Sequence, residues 1–288
     1  MSKKIAVMAD STCELPNHII EKYHIKLMPL RVIYKDREYR DGIDITPEQV
    51  YAHLHEEIPT TSLPIAEDVL YLFDELVDDG YTDVIVITLT SVLSGTYQLA
   101  TLLGKAYRGL EVEVVDSKAL SMIYGFMVLE GARYAHTGNK ALILEKIMYI
   151  RNCVKSCYMI DTYACLKKSG RVGKFQGTLA DLLKIKLIVS MGREGNLETY
   201  TMVRGRERAM RTMTHLLRRQ FSHKTYKLAI VNGNAEKDAK AMYEGIKDIG
   251  TVNELFMTKL SAVTCVHTGP GIIGYVAYEI KNRFQINS

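Results

Sequence analysis

Residues 83–107 read DVIVITLTSVLSGTYQLATLLGKAY, and this stretch decides the fold class. Its first seven residues are predominantly apolar and predict a strand over 83–89. A polar turn follows, and apolar side chains at helical spacing then predict a helix over 95–107. Strand, turn and helix in this order form the repeating unit of an α/β protein.

The same alternation extends through the first half of the chain. Thr46-Pro47-Glu48-Gln49 supplies an N-cap, a proline at the first helical position and a capping-box glutamine. Predicted strands cover 3–9, 26–34, 83–89 and 111–115, and predicted helices cover 16–24, 47–57, 66–79, 95–107, 121–136 and 140–153. The pattern predicts an N-terminal α/β domain, residues 1–155, built on a parallel sheet.

The second half has a different pattern. Two predicted strands flank Arg193-Glu194-Gly195-Asn196, which indicates a hairpin. Predicted strands cover 156–160, 186–192, 197–203, 226–232, 252–259 and 272–279, and predicted helices cover 205–220 and 235–248. We therefore expect a smaller α+β domain, residues 156–288, with a ligand cleft between the two domains.

Composition excludes several classes of protein. Of 288 residues, 47% are apolar, and 37 basic against 33 acidic side chains leave a formal charge of only +4. These values argue against a disordered chain and a dedicated nucleic-acid binder. No apolar run approaches the roughly 20 residues of a membrane span, and the first residues predict a core strand rather than a signal peptide. We expect a cytoplasmic protein without stable membrane insertion.

The five cysteines do not indicate metal chemistry. They form no CxxC pair and have no neighbouring histidines at zinc-ligand spacing. We expect free thiols in a reducing compartment, and no metal site.

Three polar segments follow predicted strands or interrupt helices. Asp10-Ser11-Thr12 follows the first strand, where α/β sheets place ligands, although a helix cap explains it equally well. Thr60-Thr61-Ser62 lies between Pro59 and Pro64, which predicts a stiff, extended, hydroxyl-bearing loop. Ser117 lies in a further edge turn, for which a structural or supporting role is favoured over a catalytic one.

The turn after strand 83–89 carries Ser91, Ser94, Gly95 and Thr96 at a helix amino terminus. Free backbone N–H groups and hydroxyls there suit a phosphate or a carboxylate, and simple helix capping is the alternative. Neither a GxxxxGK[ST] phosphate loop nor a GxSxG nucleophile elbow is present.

Two segments of the second half are candidates for binding. His267-Thr268 precedes Gly269-Pro270-Gly271, which predicts a rigid turn whose glycines let backbone approach a ligand. A basic stretch from Arg204 to Arg219 fits either a solvated helix face or docking of an acidic partner or phosphate.

Six segments in this order resemble the DegV proteins, the bacterial fatty-acid-binding subunits of fatty acid kinase. They are DSTCELP (10–16), TTSLP (60–64), LSGTYQ (93–98), VVDSKALSM (114–122), LKKSGRV (166–172) and HTGPG (267–271). The resemblance implies two α/β-type domains that hold a long-chain fatty acid between them, no further cofactor, and no catalysis by the chain itself. The kinase catalytic subunit would be the protein partner.

The resemblance also implies roles for particular residues. The fatty acid carboxylate would be bound by Thr61, Ser62, Ser94, Gly95, Thr96, His267 and Thr268. Five further residues would support the binding residues or line the cleft: Asp10, Ser11, Thr12, Ser117 and Arg171. Docking of the kinase would involve Arg204 and Arg206.

This chain departs from the family pattern at three positions. Leu63 and Ile65 stand where the family usually has a polar pair, and Ser169 stands where it usually has glycine. Two other functions stay open at this stage: an acyl hydrolase or transferase that uses Ser94 with His267, and a phosphosugar-type binder related to dihydroxyacetone kinase subunits.

Overall fold

The computed structural model describes residues 3–171 and 185–280. In chain order the strands are β1 (Ile5–Asp10), β2 (Lys26–Met28), β3 (Arg31–Ile33), β4 (Glu38–Arg40), β5 (Thr60–Ser62), β6 (Asp83–Thr88), β7 (Glu111–Asp116), β8 (Lys155–Ile160), β9 (Ile185–Met191), β10 (Leu197–Arg204), β11 (Thr225–Asn232), β12 (Thr251–Lys259) and β13 (Ile273–Glu279). The α-helices are α1 (Asn17–Lys22), α2 (Pro47–His53), α3 (Ala66–Asp78), α4 (Thr96–Ala106), α5 (Met122–Ala135), α6 (Lys140–Cys153), α7 (Ala164–Ser169), α8 (Arg206–Phe221), α9 (Glu236–Glu244) and α10 (Ala262–Thr268).

The first sheet is parallel throughout, with the order β2-β1-β6-β7. Its central strands β1 and β6 are buried along their whole length, as the apolar run at 83–89 predicts. Alternate side chains enter different cores: Ile85 and Ile87 pack on the side of α5, whereas Val84 and Val86 pack on the side of α3 and α4. The sheet therefore has helices on both faces.

The predicted strand 26–34 is wrong as a single element. It divides at Pro29 into β2, which pairs with β1 of the parallel sheet, and β3, which belongs to a separate sheet of order β4-β3-β5. Proline has no N–H for a sheet ladder, so the chain changes sheets there. The predicted extended loop at Thr60–Ser62 is extended, and it pairs antiparallel with β3 as β5.

The third sheet has six strands in the order β10-β9-β8-β13-β11-β12. All its neighbours are antiparallel except β11 and β12. The predicted hairpin is confirmed as β9 and β10, whose turn contains Gly195 at a φ of +86°. Every strand of this sheet lies between residues 155 and 279, and every strand of the other two sheets precedes residue 117.

Helix α5 joins the two halves of the molecule. It contacts β1 of the parallel sheet and β13 of the six-stranded sheet, and most of its side chains are buried. Its sequence, MIYGFMVLEGARYA, is apolar nearly all round, as a helix covered on every side requires. One hydrophobic core consequently includes Ile85 of the first sheet and Val231 of the other.

Two short helices were not predicted. Helix α7 contains the first residues of the LKKSGRV segment (166–172), whose last residue lies outside the described ranges. Helix α10 contains His267 and Thr268 in its last turn, so the expected rigid turn begins only at Gly269, whose φ is +68°. Helix α10 begins where the Ser261 hydroxyl accepts a hydrogen bond from the Thr264 amide at 3.1 Å.

The capping box of α2 is confirmed. The Thr46 hydroxyl accepts from the Gln49 amide at 3.3 Å, and the Gln49 side chain accepts from the Thr46 amide at 2.8 Å. The helix is nevertheless shorter than the predicted 47–57, because it ends at His53. Helix α9 likewise ends at Glu244 instead of residue 248.

Candidate functional site

A cavity of about 410 Å³ lies where the three sheets meet. Its wall is formed by the loop that follows β6, by β5, by helices α7 and α10, and by the start of β10. Both halves of the chain contribute side chains. A volume of this size is within the usual range of roughly 300–1,000 Å³ for small-molecule sites.

Nine of the side chains that line the cavity, half of those described, are aliphatic. Within the described ranges, they are Leu30, Leu63, Leu89, Val92, Leu93, Leu120, Leu166, Leu197 and Val263. These nine side chains offer no hydrogen bonds and favour a flexible apolar guest. Sequence reasoning identified only Leu63 among them, since a leucine that lines a cavity has the same pattern as one that fills a core.

His267 and Thr61 meet in the wall of this cavity. The Nε2 atom of His267 lies 2.8 Å from Oγ1 of Thr61, and Nδ1 is buried with no hydrogen-bond partner in the described part of the chain. Burial, assisted by the positive charge of Arg171, lowers the pKa of His267 to about 4. The imidazole is therefore neutral at pH 7 and can donate one hydrogen bond.

The turn before α4 serves as both a helix start and a cavity wall. Ser94 and Gly95 line the cavity, whereas Thr96 is fully buried behind them. The Ser94 hydroxyl lies 2.9 Å from Oγ1 of Thr96 and accepts from the Thr96 amide at 3.3 Å. The contact with the Thr96 amide supports the helix-capping interpretation, and anion binding at Ser94 stays a prediction.

Ser62 and Thr268 also line the cavity. The Thr268 hydroxyl donates to the carbonyl oxygen of Thr264 within its own helix at 2.9 Å. Its proton is thus used by the backbone, and Thr268 can offer a ligand only its oxygen as an acceptor.

Asp10 organises the floor of the site without reaching the cavity. Its buried carboxylate accepts hydrogen bonds from the Leu89 amide at 2.7 Å, from the Tyr124 hydroxyl at 2.6 Å and from the Thr12 hydroxyl at 2.6 Å. Thr12 and Leu89 both line the cavity, so Asp10 fixes two parts of its wall. Tyr124 has no polar neighbours in the sequence that could have identified this role.

Ser11 acts through a residue that the sequence did not indicate. Its hydroxyl donates to Asp41 at 2.7 Å, and the other Asp41 oxygen accepts from the Ala262 amide at 2.9 Å, at the start of α10. Asp41 therefore connects the loop after β1 to the helix that carries His267. Burial raises the pKa of Asp41 to about 6.

The remaining predicted residues are more dispersed. Arg171 lines the cavity from the end of α7, and its guanidinium donates to the Ser169 carbonyl at 2.8 Å. Ser117 does not reach this cavity: it is buried, and its hydroxyl exchanges hydrogen bonds with the backbone of Ala119.

Arg204 and Arg206 lie outside the cavity and differ from each other. Arg204 is exposed on β10. Arg206 forms ion pairs with Asp161 and Asp238, both at 2.8 Å, and donates to the Gly271 carbonyl at 2.7 Å. It thereby fixes the turn that follows α10.

Within residues 3–171 and 185–280, no group of three or more His, Cys, Asp or Glu side chains is arranged to hold a metal ion. Within the same residues, no helix has both the length and the apolar character needed to cross a bilayer.

Fold and site together define a mixed α/β protein whose parallel sheet and second, mixed sheet enclose an apolar cavity with a few convergent polar groups. The family model described as "Uncharacterised protein, DegV family" matches residues 4–279. A DegV domain-containing protein of Clostridium acetobutylicum is 37% identical over 278 residues, which cover 96% of this chain and 99% of that protein. The chain belongs to the DegV family.

Solved structures of DegV proteins share the fold over nearly the whole chain. The fatty-acid-binding DegV family protein of Thermus thermophilus is 28% identical, with a TM-score of 0.88 over 96% of this chain and all of that one. DegV of Bacillus subtilis, described as a fatty acid binding protein, is 26% identical, with a TM-score of 0.86 over 97% of this chain and all of that one. The predicted fold class is confirmed.

Proposed function

We propose that this protein binds a long-chain fatty acid in the 410 Å³ cavity and presents its carboxylate to the catalytic subunit of a fatty acid kinase. The observation that carries the proposal is the combination of nine aliphatic side chains in the wall with several polar groups, among them the His267–Thr61 pair. Fatty acid binding by the similar proteins of Thermus thermophilus and Bacillus subtilis supports the same ligand class.

The aliphatic wall would supply the affinity. A tail of about 15 methylenes gains roughly 0.8 kcal/mol for each one buried, a gross 12 kcal/mol or so that the entropy of binding reduces substantially. Because hydrocarbon burial is not directional, this term leaves the orientation of the ligand undetermined.

The polar groups would orient the head. A carboxylate that leaves water needs replacement hydrogen bonds. We assign them to Ser94 and to the Thr61–His267 pair, which has one proton left for the ligand beyond the one it shares, with Ser62 and the backbone near Gly95 beside them. Arg171 adds a positive charge to the same wall. Asp10, Ser11 and Thr12 would act by holding the loops that carry these groups.

The contacts of His267 and Ser94 disfavour hydrolysis or acyl transfer by the chain itself. A nucleophilic serine needs a histidine base that a further group orients. Here Nε2 of His267 faces Thr61, Nδ1 has no partner among the residues described, and the Ser94 hydroxyl is engaged with Thr96. A phosphosugar-type ligand is disfavoured by the aliphatic wall.

Docking of the kinase is assigned to the exposed Arg204 rather than to Arg206. The guanidinium of Arg206 already bonds two carboxylates and a carbonyl within the chain. Its expected contribution is to hold the Gly269–Gly271 turn next to His267, so that loss of Arg206 would disturb the ligand site as well.

The first experiment is native mass spectrometry of protein purified without added lipid, followed by organic extraction. We expect one long-chain fatty acid per chain, and formation of an acyl phosphate when the loaded protein meets a fatty acid kinase catalytic subunit and ATP. A protein that neither carries nor binds fatty acid on titration would contradict the proposal. Fatty acid binding without acyl phosphate formation would support the proposed ligand and contradict the proposed role with a kinase.

A further inference from the structure

A second cavity, of about 240 Å³, concentrates positive charge. It lies between the loop after β7, the carboxyl end of α6 and the β9–β10 hairpin. Its wall includes Lys118, Arg151, Lys155 and Arg193, and no Asp or Glu among the lining residues that the structure describes. The whole chain has a formal charge of only +4, so four cations without a carboxylate in one wall are a local excess of positive charge.

Neutral hydrogen-bonding groups accompany the four cations. Ser156, Ser190 and Asn152 line the same cavity. The Ser156 hydroxyl accepts from the Met191 amide at 3.4 Å, which leaves its own proton to donate. The Gln220 amide oxygen is buried without a partner in the described ranges. Gln220 also lines this cavity. Rotation of its amide by 180° would place the NH₂ group where the oxygen now lies and would add a hydrogen-bond donor to the wall.

The opposing charges nearby are weak. Lys118 pairs at 2.8 Å with Glu194, whose side chain is 79% exposed, and an exposed pair of this kind contributes little. The carboxyl end of α6 adds roughly half a negative charge. Two further carboxylates lie close by: Asp116 accepts from the Lys118 amide at 3.0 Å, and Glu198 lies next to Gly192. Neither lines the cavity, whereas the four cations do, so an anion that enters it is closest to positive charge.

We propose that this cavity binds a small, soluble, phosphate-bearing molecule. A phosphate group presents several acceptor oxygens, which suit the guanidinium groups of Arg151 and Arg193, the ammonium groups of the lysines and the serine hydroxyls. The concave shape favours a small molecule over a protein surface, and the volume of 240 Å³, below the usual range for such sites, limits the ligand to a compact one. This site is separate from the fatty acid cavity and does not depend on the proposed function.

The two cavities have no lining residue in common, but two segments of the chain contribute to both walls. Lys118 and Ala119 line the second cavity, whereas the adjacent Leu120 lines the first. In the hairpin, Arg193 lines the second cavity and Leu197 the first. We expect an anion in the second cavity to change the affinity of the first for its ligand. This expectation, unlike the anion site itself, rests on the proposed function.

The test is titration calorimetry with inorganic pyrophosphate at constant ionic strength. We expect saturable binding of one pyrophosphate per chain. The double variant Arg151→Gln/Lys155→Gln should weaken binding at least tenfold, and Arg193→Gln alone should weaken it measurably. The matched control Lys237→Gln/Lys240→Gln removes the same charge from exposed residues of α9 outside this cavity, and it should bind as the unaltered protein does.

Three results would overturn the proposal: no saturable binding, an equal loss in the control variant, or binding to phosphatidylglycerol vesicles without binding to pyrophosphate. The affinity for fatty acid is measured separately, with and without pyrophosphate. If pyrophosphate binds but leaves the affinity for fatty acid unchanged, the proposed anion site is supported and only the expected coupling between the two cavities is contradicted. Absence of fatty acid binding would count against the proposed function alone.

Discussion

The Nε2 atom of His267 and the Oγ1 atom of Thr61 lie 2.8 Å apart, although 206 residues separate them along the chain. Helix α10 carries the histidine and the small three-stranded sheet carries the threonine. The pair lies in the wall of a cavity that nine aliphatic side chains and several further polar groups complete. Its geometry yields the first two predictions.

Thr61→Val should weaken fatty acid binding by about 10- to 150-fold, since it keeps the shape of the side chain and removes one hydrogen bond to a charged group, worth roughly 1.5–3 kcal/mol. Fluorescence displacement of a bound fatty acid analogue measures the change. Thr60→Val is the matched control, because Thr60 lies on the same strand, is exposed and does not line the cavity. Equal affinities for the two variants would exclude Thr61 from the head-group site.

Fatty acid binding should raise the pKa of His267. In the free protein burial lowers this pKa to about 4, and a carboxylate next to the ring favours the protonated form. Proton NMR titration with and without ligand measures the shift, and His267→Gln identifies the resonance. An unchanged pKa in the loaded protein would show that the carboxylate binds elsewhere.

The same histidine should make the stability of the free protein depend on pH. Because the folded pKa is lower than the usual value of 6.5, the contribution of His267 is complete above about pH 6.5 and is lost as the pH falls toward 4. Urea unfolding should therefore give a steeper loss of unfolding free energy over this window in the wild type than in His267→Gln. Parallel curves would contradict the burial of a neutral ring.

Glu14 should act in the opposite direction. It is buried beside Ser121, whose hydroxyl donates to it, and burial raises its pKa from the usual 4.5 to about 8. Its stabilising contribution is complete below about pH 4.5 and is lost as the pH rises through 8. Glu14→Gln should therefore become more stable relative to the wild type between about pH 5 and about pH 8.5 in urea unfolding. The exposed control Glu21→Gln should track the wild type, and a constant difference for Glu14→Gln would refute the prediction.

Leu120→Phe should shift the ligand preference toward shorter chains. The larger ring fills part of the cavity, and each methylene it excludes removes roughly 0.8 kcal/mol of binding free energy. Affinities for a series of saturated fatty acids test this. Leu102→Phe, on the exposed face of α4 at 66% exposure, should leave the series unchanged. A uniform loss for all chain lengths would indicate distortion of the site instead.

Arg204→Glu should leave fatty acid affinity unchanged and reduce acyl phosphate formation by a fatty acid kinase. Reversal of an exposed charge at a protein interface slows association, and the effect decreases as salt is added. Arg108→Glu reverses another exposed charge beyond the end of α4 and serves as the control. Equal turnover for both variants would exclude Arg204 from docking.

Local patterns predicted much of the fold. The limits of α6 match the prediction at both ends, and the capping box of α2 and the β9–β10 hairpin have the expected contacts. In each case the decisive interactions are between neighbours in sequence. The single strand predicted for 26–34 failed because the sheet that accepts each half depends on distant partners, β1 for one and β5 for the other.

The candidate site was predictable to a lesser degree. Ser94 and His267 lie in polar motifs that the sequence makes visible, and both line the cavity. Asp41 and Tyr124 support that wall through hydrogen bonds to residues 30 and 114 positions away, and no local pattern indicates them. Ser117 also follows a strand of the parallel sheet, but its hydroxyl bonds to the backbone of Ala119. It lines the second cavity instead of the first.

The sequence by itself determined the alternation of strands and helices, the buried parallel strands and the hydroxyl-rich turns, because apolar period, proline position and capping residues act over a few residues. The tertiary structure alone decided which leucines line a cavity, that the His267 ring is neutral at pH 7, and that four cations from three separate segments share one pocket. Burial, electrostatic fields and cavity shape are sums over atoms that the chain brings together only when it folds.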